Sequence, residues 1–220
     1  MESNDFVKRF QVCKENAHRF LVKNLGGYYF QRGPRVISSY FEDLLAIYIA
    51  EKIANNNNKY YVDKSFSYKI NNENKTCKPD ILVCDEQSRV IAYFDAKTDL
   101  GSHKSSFEKF IQDKHNFIEG IKNKQIKTKI ESKTFGQKPE EITFDVVDGI
   151  KYYIIVGGYW AHGDNYQKKY EDVLKNCTNV KLNILVDWST KKGDDFKERK
   201  NDFEEFDKFL AEIATRSNSV

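Results

Sequence analysis

Residues 77 to 100 read CKPDILVCDEQSRVIAYFDAKTDL, with two apolar runs, ILVC (81–84) and RVIAYF (89–94), on either side of the polar segment DEQS. Short apolar runs separated by turn residues predict the two strands of an antiparallel hairpin. Pro79 has no N–H to donate and suits the first position of a strand. Asp80 follows it, and the second run ends in Asp95-Ala96-Lys97. Pairing through DEQS sets Asp80, at the start of one strand, beside Asp95, at the end of the other. The period-two alternation of a strand puts Lys97 on the same face as Asp95.

Two carboxylates at that separation repel each other, and a hard cation with oxygen ligands, Mg²⁺ in a cell, is the usual remedy. Lys97 can orient or deprotonate a water and offset charge building on a phosphate. The Asp/Glu-x-Lys triplet alone carries little information, because the chain has five, starting at Glu73, Asp95, Glu131, Asp195 and Glu198. Only the one at Asp95 directly ends an apolar run.

Working outward, KYYVDKSFSYKI (59–70) alternates aromatic and polar residues in part, and NNENKT (71–76) has turn composition. With the hairpin these predict a three-strand meander. Helices are expected on both sides of it: about 6 to 25, closed by Gly26-Gly27, and about 36 to 54 before it, and about 104 to 122 after it. In the second of these, Ile37, Phe41, Leu44 and Tyr48 form the apolar stripe, with Glu42 on its shoulder and Asp43 further out. KYYIIVGGYW (151–160) predicts a strand buried on both faces. A helix at about 165 to 176, a strand in VKLNILVDW (180–188) and a helix at about 194 to 214 complete the order. The fold class is α/β with a mixed central sheet.

The pattern Pro79-Asp80 with Asp95-Ala96-Lys97 resembles the PD-(D/E)xK nuclease superfamily, the restriction-endonuclease-like fold. Its order of helix, three-strand meander, helix and strand is similar to the order read here over about residues 36 to 160. The resemblance implies Mg²⁺-assisted hydrolysis of a phosphodiester, with Mn²⁺ a possible substitute. Asp80, Asp95 and the Ala96 carbonyl would hold the metal and Lys97 would position the attacking water. Glu42, from the helix ahead of the meander, would bind or orient a second metal or water. The expected protein is most like a type II restriction endonuclease, acting on double-stranded DNA as a homodimer. A nuclease of the same fold in defence, repair or transposition, and a catalytically silent nucleic-acid-binding module, are the alternatives.

The 220 residues predict one domain, and 36 Lys plus Arg against 33 Asp plus Glu give a net charge of +3, too small by itself to argue for nucleic acid. Local clustering has to carry that argument. KNKQIKTKIESKTFGQK (122–138) holds six lysines and one glutamate and reads as a basic loop, so Lys124, Lys127 and Lys129 are candidate DNA contacts. Arg32, Arg35 and Lys104 are further phosphate candidates, and Lys109 and Lys114 read equally well as a solvated helix face. Tyr159, Trp160 and Tyr166 are placed to contact bases.

His103, His115 and His162 lack metal-ligand spacing. Gly157-Gly158 sits in no phosphate-binding pattern and suits close strand packing or a bend. The four cysteines contain no C-x-x-C pair, which argues against a zinc ribbon or a disulfide framework, and Cys77 and Cys84 read as small buried apolar residues. The first thirty residues contain no long apolar run, so neither a signal peptide nor a membrane span is expected and the location expected is cytoplasmic.

Overall fold

In the computed structural model of the chain, which describes residues 1–24, 35–55, 57–98, 100, 106–130, 139–160, 165–188 and 196–217, the two apolar runs pair as an antiparallel hairpin. Its strands are β4 (Ile81–Cys84) and β5 (Arg89–Lys97), and β1 (Lys59–Val62) pairs antiparallel with β4 on the outer side. The turn is closed by one carboxylate: Asp85 accepts from the Arg89 backbone N–H at 2.8 Å and from Arg89 Nε at 2.6 Å. Ser88 takes the left-handed conformation at φ 63° that completes the turn.

A register shift between Val83 and Cys84 inserts one residue into β5, where Cys84 faces Val90 and Val83 faces Ala92. From there the alternation is regular. Ala92, Phe94 and Ala96 pack into a core with helices α1 (Ser3–Asn24), α2 (Arg35–Ile53) and α5 (Lys200–Ser217). Tyr93 packs on the opposite side, with α3 (Phe107–Ile121) and α4 (Asn165–Asn176). Asp95 and Lys97, two and four residues after Tyr93, therefore fall on the α3 side.

Two meander expectations need correction. KYYVDKSFSYKI is not one strand: Asp63, at φ 52°, separates β1 from β2 (Phe66–Ile70). NNENKT is not only a turn. Asn71 and Asn72, at φ 51° and 63°, form the turn, and Glu73–Cys77 returns as β3 against β2. Asparagine tolerates positive φ, and two such residues in succession match the twist of a tight hairpin. β1, β4 and β5 remain a spatial meander, interrupted in sequence by this inserted hairpin.

The basic segment is also different from expectation. Gln125–Ile130 is a strand, β6, paired antiparallel with β7 (Glu140–Val146), and β6 also pairs with β2. The expectation of a loop followed the lysine count. Beneath it lies an alternation in which Ile126 and Thr128 are buried and Lys127 and Lys129 are exposed. Residues 131–138 lie outside the described set.

β5 is the branch point of a nine-stranded mixed sheet. Arg89 and Val90 pair in parallel with β7, and Tyr93 to Lys97 pair in parallel with β8 (Tyr152–Val156), which in turn pairs in parallel with β10 (Val180–Ile184). The predicted KYYIIVGGYW strand breaks at Gly157-Gly158. Its end, β9 (Tyr159–Trp160), joins a small second sheet with β11 (Val186–Trp188) and β12 (Lys197–Glu198). A Cβ at Gly157 would lie 2.9 Å from Phe10 Cζ and 2.9 Å from Phe41 Cε2, so the absence of a side chain lets α1 and α2 close over the sheet. On α2, Ile37, Phe41, Leu44 and Tyr48 are buried, each contributing on the order of 1.5–3 kcal/mol. No helix among the described residues is long and apolar enough to cross a membrane.

Candidate active site

Asp80 and Asp95 come together in the hairpin, with the extra residue of β5 between Val90 and Ala92 setting the register. Ile81 faces Phe94, so the next pair outward is Asp80 with Asp95, where β4 begins and β5 approaches its end. Asp80 is anchored by its own strand partner, accepting the Ala96 backbone N–H at Oδ2 over 2.7 Å. Asp95 is 6% exposed and its carboxylate is divided between two sets of donors. Oδ1 accepts from Lys97 Nζ, and Oδ2 accepts from the Tyr152 hydroxyl at 3.0 Å, with Lys114 Nζ 3.7 Å away.

Lys97 Nζ is the centre of the group. It pairs with Asp95 Oδ1, stands 3.4 Å from Asp80 Oδ2 and 3.5 Å from the Ala96 carbonyl oxygen. Two carboxylate oxygens and one carbonyl oxygen thus converge on a single positive charge. That is an all-oxygen set of the kind a hard divalent cation takes, with the ammonium standing where positive charge is needed. Among the described residues no third His, Cys, Asp or Glu joins the two aspartates to make a larger metal-ligating group. Magnesium is commonly held by one or two carboxylates and keeps several waters, so the set fits that ion.

The protonation balance points the same way. Burial pushes the Asp80 carboxyl up to about 7, the hydrogen bond and the charge of Asp95 add to it, and Lys97 only partly opposes them. For Asp95 burial also opposes ionisation, but the hydrogen bond with Asp80 and the charges of Lys97 and Lys114 outweigh it and hold the carboxyl below its ordinary value. Lys97 is pulled down by burial and raised more strongly by the two aspartates, so it stays charged. One carboxylate of the pair is therefore poorly neutralised by the protein's own cations.

Tyr152 and Lys114 make a supporting layer. The parallel register sets Tyr152 opposite Tyr93 and Ile154 opposite Asp95, which leaves the Tyr152 hydroxyl diagonal to the carboxylate. The two rings stack at 4.7 Å. Lys114 comes from α3, its ammonium 5.1 Å from the centre of the Tyr152 ring and 5.4 Å from that of Phe110. Tyr152 was not identifiable as a site residue in the sequence, where it is one more apolar position in a buried strand. Its alternation with Ile154 was readable, but its partner across the sheet was not.

Glu42 shares no hydrogen bond or ion pair with this group, although its carboxyl is electrostatically coupled to Lys97. It sits on α2, which packs on the opposite face of the sheet from Asp95, and makes no hydrogen bond or ion pair among the described residues. Burial raises its carboxyl and Asp63 raises it further, while Lys97 and Lys78 act in the other direction. Glu42 thus senses the charge of Lys97. Asp43 is exposed, further out than Glu42 as the wheel expected.

The described candidate phosphate contacts lie on or just before β6 and at the start of α2. Lys124 Nζ donates to the Gly120 carbonyl at 2.6 Å, and Lys127 pairs with Glu141 at 2.9 Å. Lys129 is exposed on the same strand face as Lys127. Arg35 opens α2, and Tyr159, Trp160 and Tyr166 lie in β9 and α4. Arg32, Lys104, His103 and His162 lie outside the described residues. Cys84 is buried as expected, but Cys77 is only partly covered and borders the cleft that contains Asp80 and Asp95.

No known protein family matches the chain, and no curated protein matches it.

Proposed function

We propose that this protein is a Mg²⁺-dependent nuclease that hydrolyses DNA phosphodiester bonds, with a restriction-endonuclease-like fold. The observation that carries the reading is the convergence of Asp80 Oδ2, Asp95 Oδ1 and the Ala96 carbonyl on one cationic atom, Lys97 Nζ. Asp80, Asp95 and the Ala96 carbonyl would hold Mg²⁺, with Mn²⁺ as a substitute, and the ion would supply Lewis-acid charge at the scissile phosphate. The residues themselves do the rest. Lys97 orients the attacking water and offsets charge on the phosphate oxygens. Tyr152 and Lys114 fix Asp95 Oδ2, which keeps Oδ1 turned toward Asp80. Glu42 serves from outside the pair, as a ligand or water contact of a second ion. In the type II restriction form of the reading, double-strand cleavage requires two such sites, and a homodimer is the simplest way to supply them.

The test is cleavage of supercoiled plasmid and of a single-stranded DNA circle in Mg²⁺ and in Mn²⁺. The wild-type protein cuts, chelation stops it, and Lys97→Ala slows it by about 100-fold or more. Discrete fragments from genomic DNA support the restriction enzyme, whereas a smear supports a nuclease without sequence recognition. If the cluster is only a structural ion-pair network, both substrates survive in both metals and Lys97→Ala behaves like wild type, which overturns the proposal.

A further inference from the structure

The cleft that contains Asp80 and Asp95 extends beyond them. It has a volume of 490 Å³, within the range of roughly 300–1,000 Å³ that sites for single small molecules occupy. One wall is the inserted β2–β3 hairpin, which contributes Tyr68, and the other is α3, which contributes Lys114 and Phe117. Tyr93 also lines it, two residues before Asp95 on the same face of β5, so the aromatic part adjoins the carboxylates directly.

The rings meet edge to face. Tyr68 and Phe117 are 5.9 Å apart at 74°, and Phe117 and Tyr93 are 5.2 Å apart at 65°. Tyr68 and Phe117 are half-buried. Partly exposed aromatic rings next to ammonium groups form the kind of surface on which bases of single strands stack while cations take the backbone. The cations here are Lys78, Lys97 and Lys114, with side chains 55%, 27% and 29% exposed, and Asp113 also lines the cleft.

We propose that this cleft holds one unstacked nucleotide of the strand to be cut, its base against Tyr68 and Phe117 and its phosphate toward Asp80 and Asp95, so that single-stranded DNA is bound in preference to duplex. The proposal rests on the nuclease reading, apart from its type II restriction form, and names single-stranded DNA as its substrate class. A duplex enters only if that nucleotide leaves its stack and its base pair, and a single strand has no pair to break. The inserted hairpin is the specificity element, because without it the cleft has no second wall.

The experiment measures binding of a short oligothymidylate carrying one central 2-aminopurine, alone and annealed to its complement, in Ca²⁺ in place of Mg²⁺. Wild-type protein binds the single strand about tenfold or more tightly than the duplex, and the 2-aminopurine fluorescence is quenched as the base stacks. Tyr68→Ala weakens single-strand binding by about tenfold and reduces the quenching, whereas Tyr68→Phe, which keeps the ring, does neither. The quenching needs no variant, so it decides the matter even if Tyr68→Ala does not fold. Equal affinity for both forms without quenching overturns the inference, and if wild-type protein still cleaves DNA in Mg²⁺ the nuclease reading survives it. Failure to bind either form overturns the inference, and failure to cleave as well removes both.

Discussion

Tyr152 donates a 3.0 Å hydrogen bond to Asp95 Oδ2 from the neighbouring parallel strand, and this bond leaves Oδ1 free to face Asp80 and Lys97. Both partners are buried, Asp95 at 6% and Tyr152 at 3% exposure. A hydrogen bond to a charged group in such a place is worth about 1.5–3 kcal/mol, and its larger effect is on aim.

Tyr152→Phe keeps the ring stacked on Tyr93 and removes only the hydroxyl. Supporting residues of this kind alter metal affinity or activity by about 10–100-fold. The variant is expected to need more Mg²⁺ for half-maximal cleavage while melting within a few degrees of wild type. A magnesium titration of the plasmid assay checks it, and an unchanged titration curve rejects the role assigned to Tyr152.

Asp80 makes the metal-free protein less stable as pH rises. Its folded carboxyl titrates at about 7, above the ordinary 3.8, so the folded state binds the proton more tightly than the unfolded chain. The stabilisation is complete below about pH 4 and is lost as pH climbs through about 7, for a total on the order of 2–4 kcal/mol. Asp95, whose carboxyl is lowered, acts oppositely and only in more acid solution, where its stabilisation is lost as pH falls. Asp80→Asn is expected to flatten the dependence between pH 4 and 8 in thermal melts with chelator. A slope equal to that of wild type contradicts the assignment.

Magnesium should reverse that loss. An ion held by Asp80 and Asp95 would meet two ionised aspartates above pH 7, whereas at pH 5 it would have to displace a proton from Asp80, weakening binding by about 100-fold. Mg²⁺ is therefore expected to raise the melting temperature clearly at pH 8 and little at pH 5, and Asp80→Asn or Asp95→Asn to abolish the rise. An equal rise in wild type and both variants places the ion elsewhere.

Gly157→Ala tests the packing beneath the site. The new methyl would lie 2.9 Å from the rings of Phe10 and Phe41, and those rings are buried against each other at 4.9 Å. Overpacking of this kind costs about 1–3 kcal/mol. Urea denaturation is expected to give a lower midpoint with an unchanged slope, and a midpoint equal to wild type shows that α1 and α2 can yield.

Much of this architecture is legible from local pattern. Ile37, Phe41, Leu44 and Tyr48 on α2 declare their face by spacing, and ILVC and RVIAYF declare the hairpin. Glu73–Cys77 was not legible as β3, because ENKTC has no apolar alternation and becomes a strand only when Asn71 and Asn72 turn it back onto β2. Gln125–Ile130 and Glu140–Val146 carry alternation, in Ile126 with Thr128 and in Ile142, Phe144 and Val146, but the lysine density of the first is equally that of an exposed loop.

By itself, then, the sequence determines the hairpin and the common face of Asp95 and Lys97, whereas the register that sets Asp80 against Asp95 includes the shift between Val83 and Cys84. Tertiary structure decided what surrounds them. Tyr152 reaches Asp95 through the register of a parallel strand more than fifty positions away, Lys114 through the docking of α3, and Glu42 comes from α2, which covers the other face of the sheet. Those relations depend on which elements pack together and in what register, and such long-range pairing is specified by the whole core rather than by any one segment.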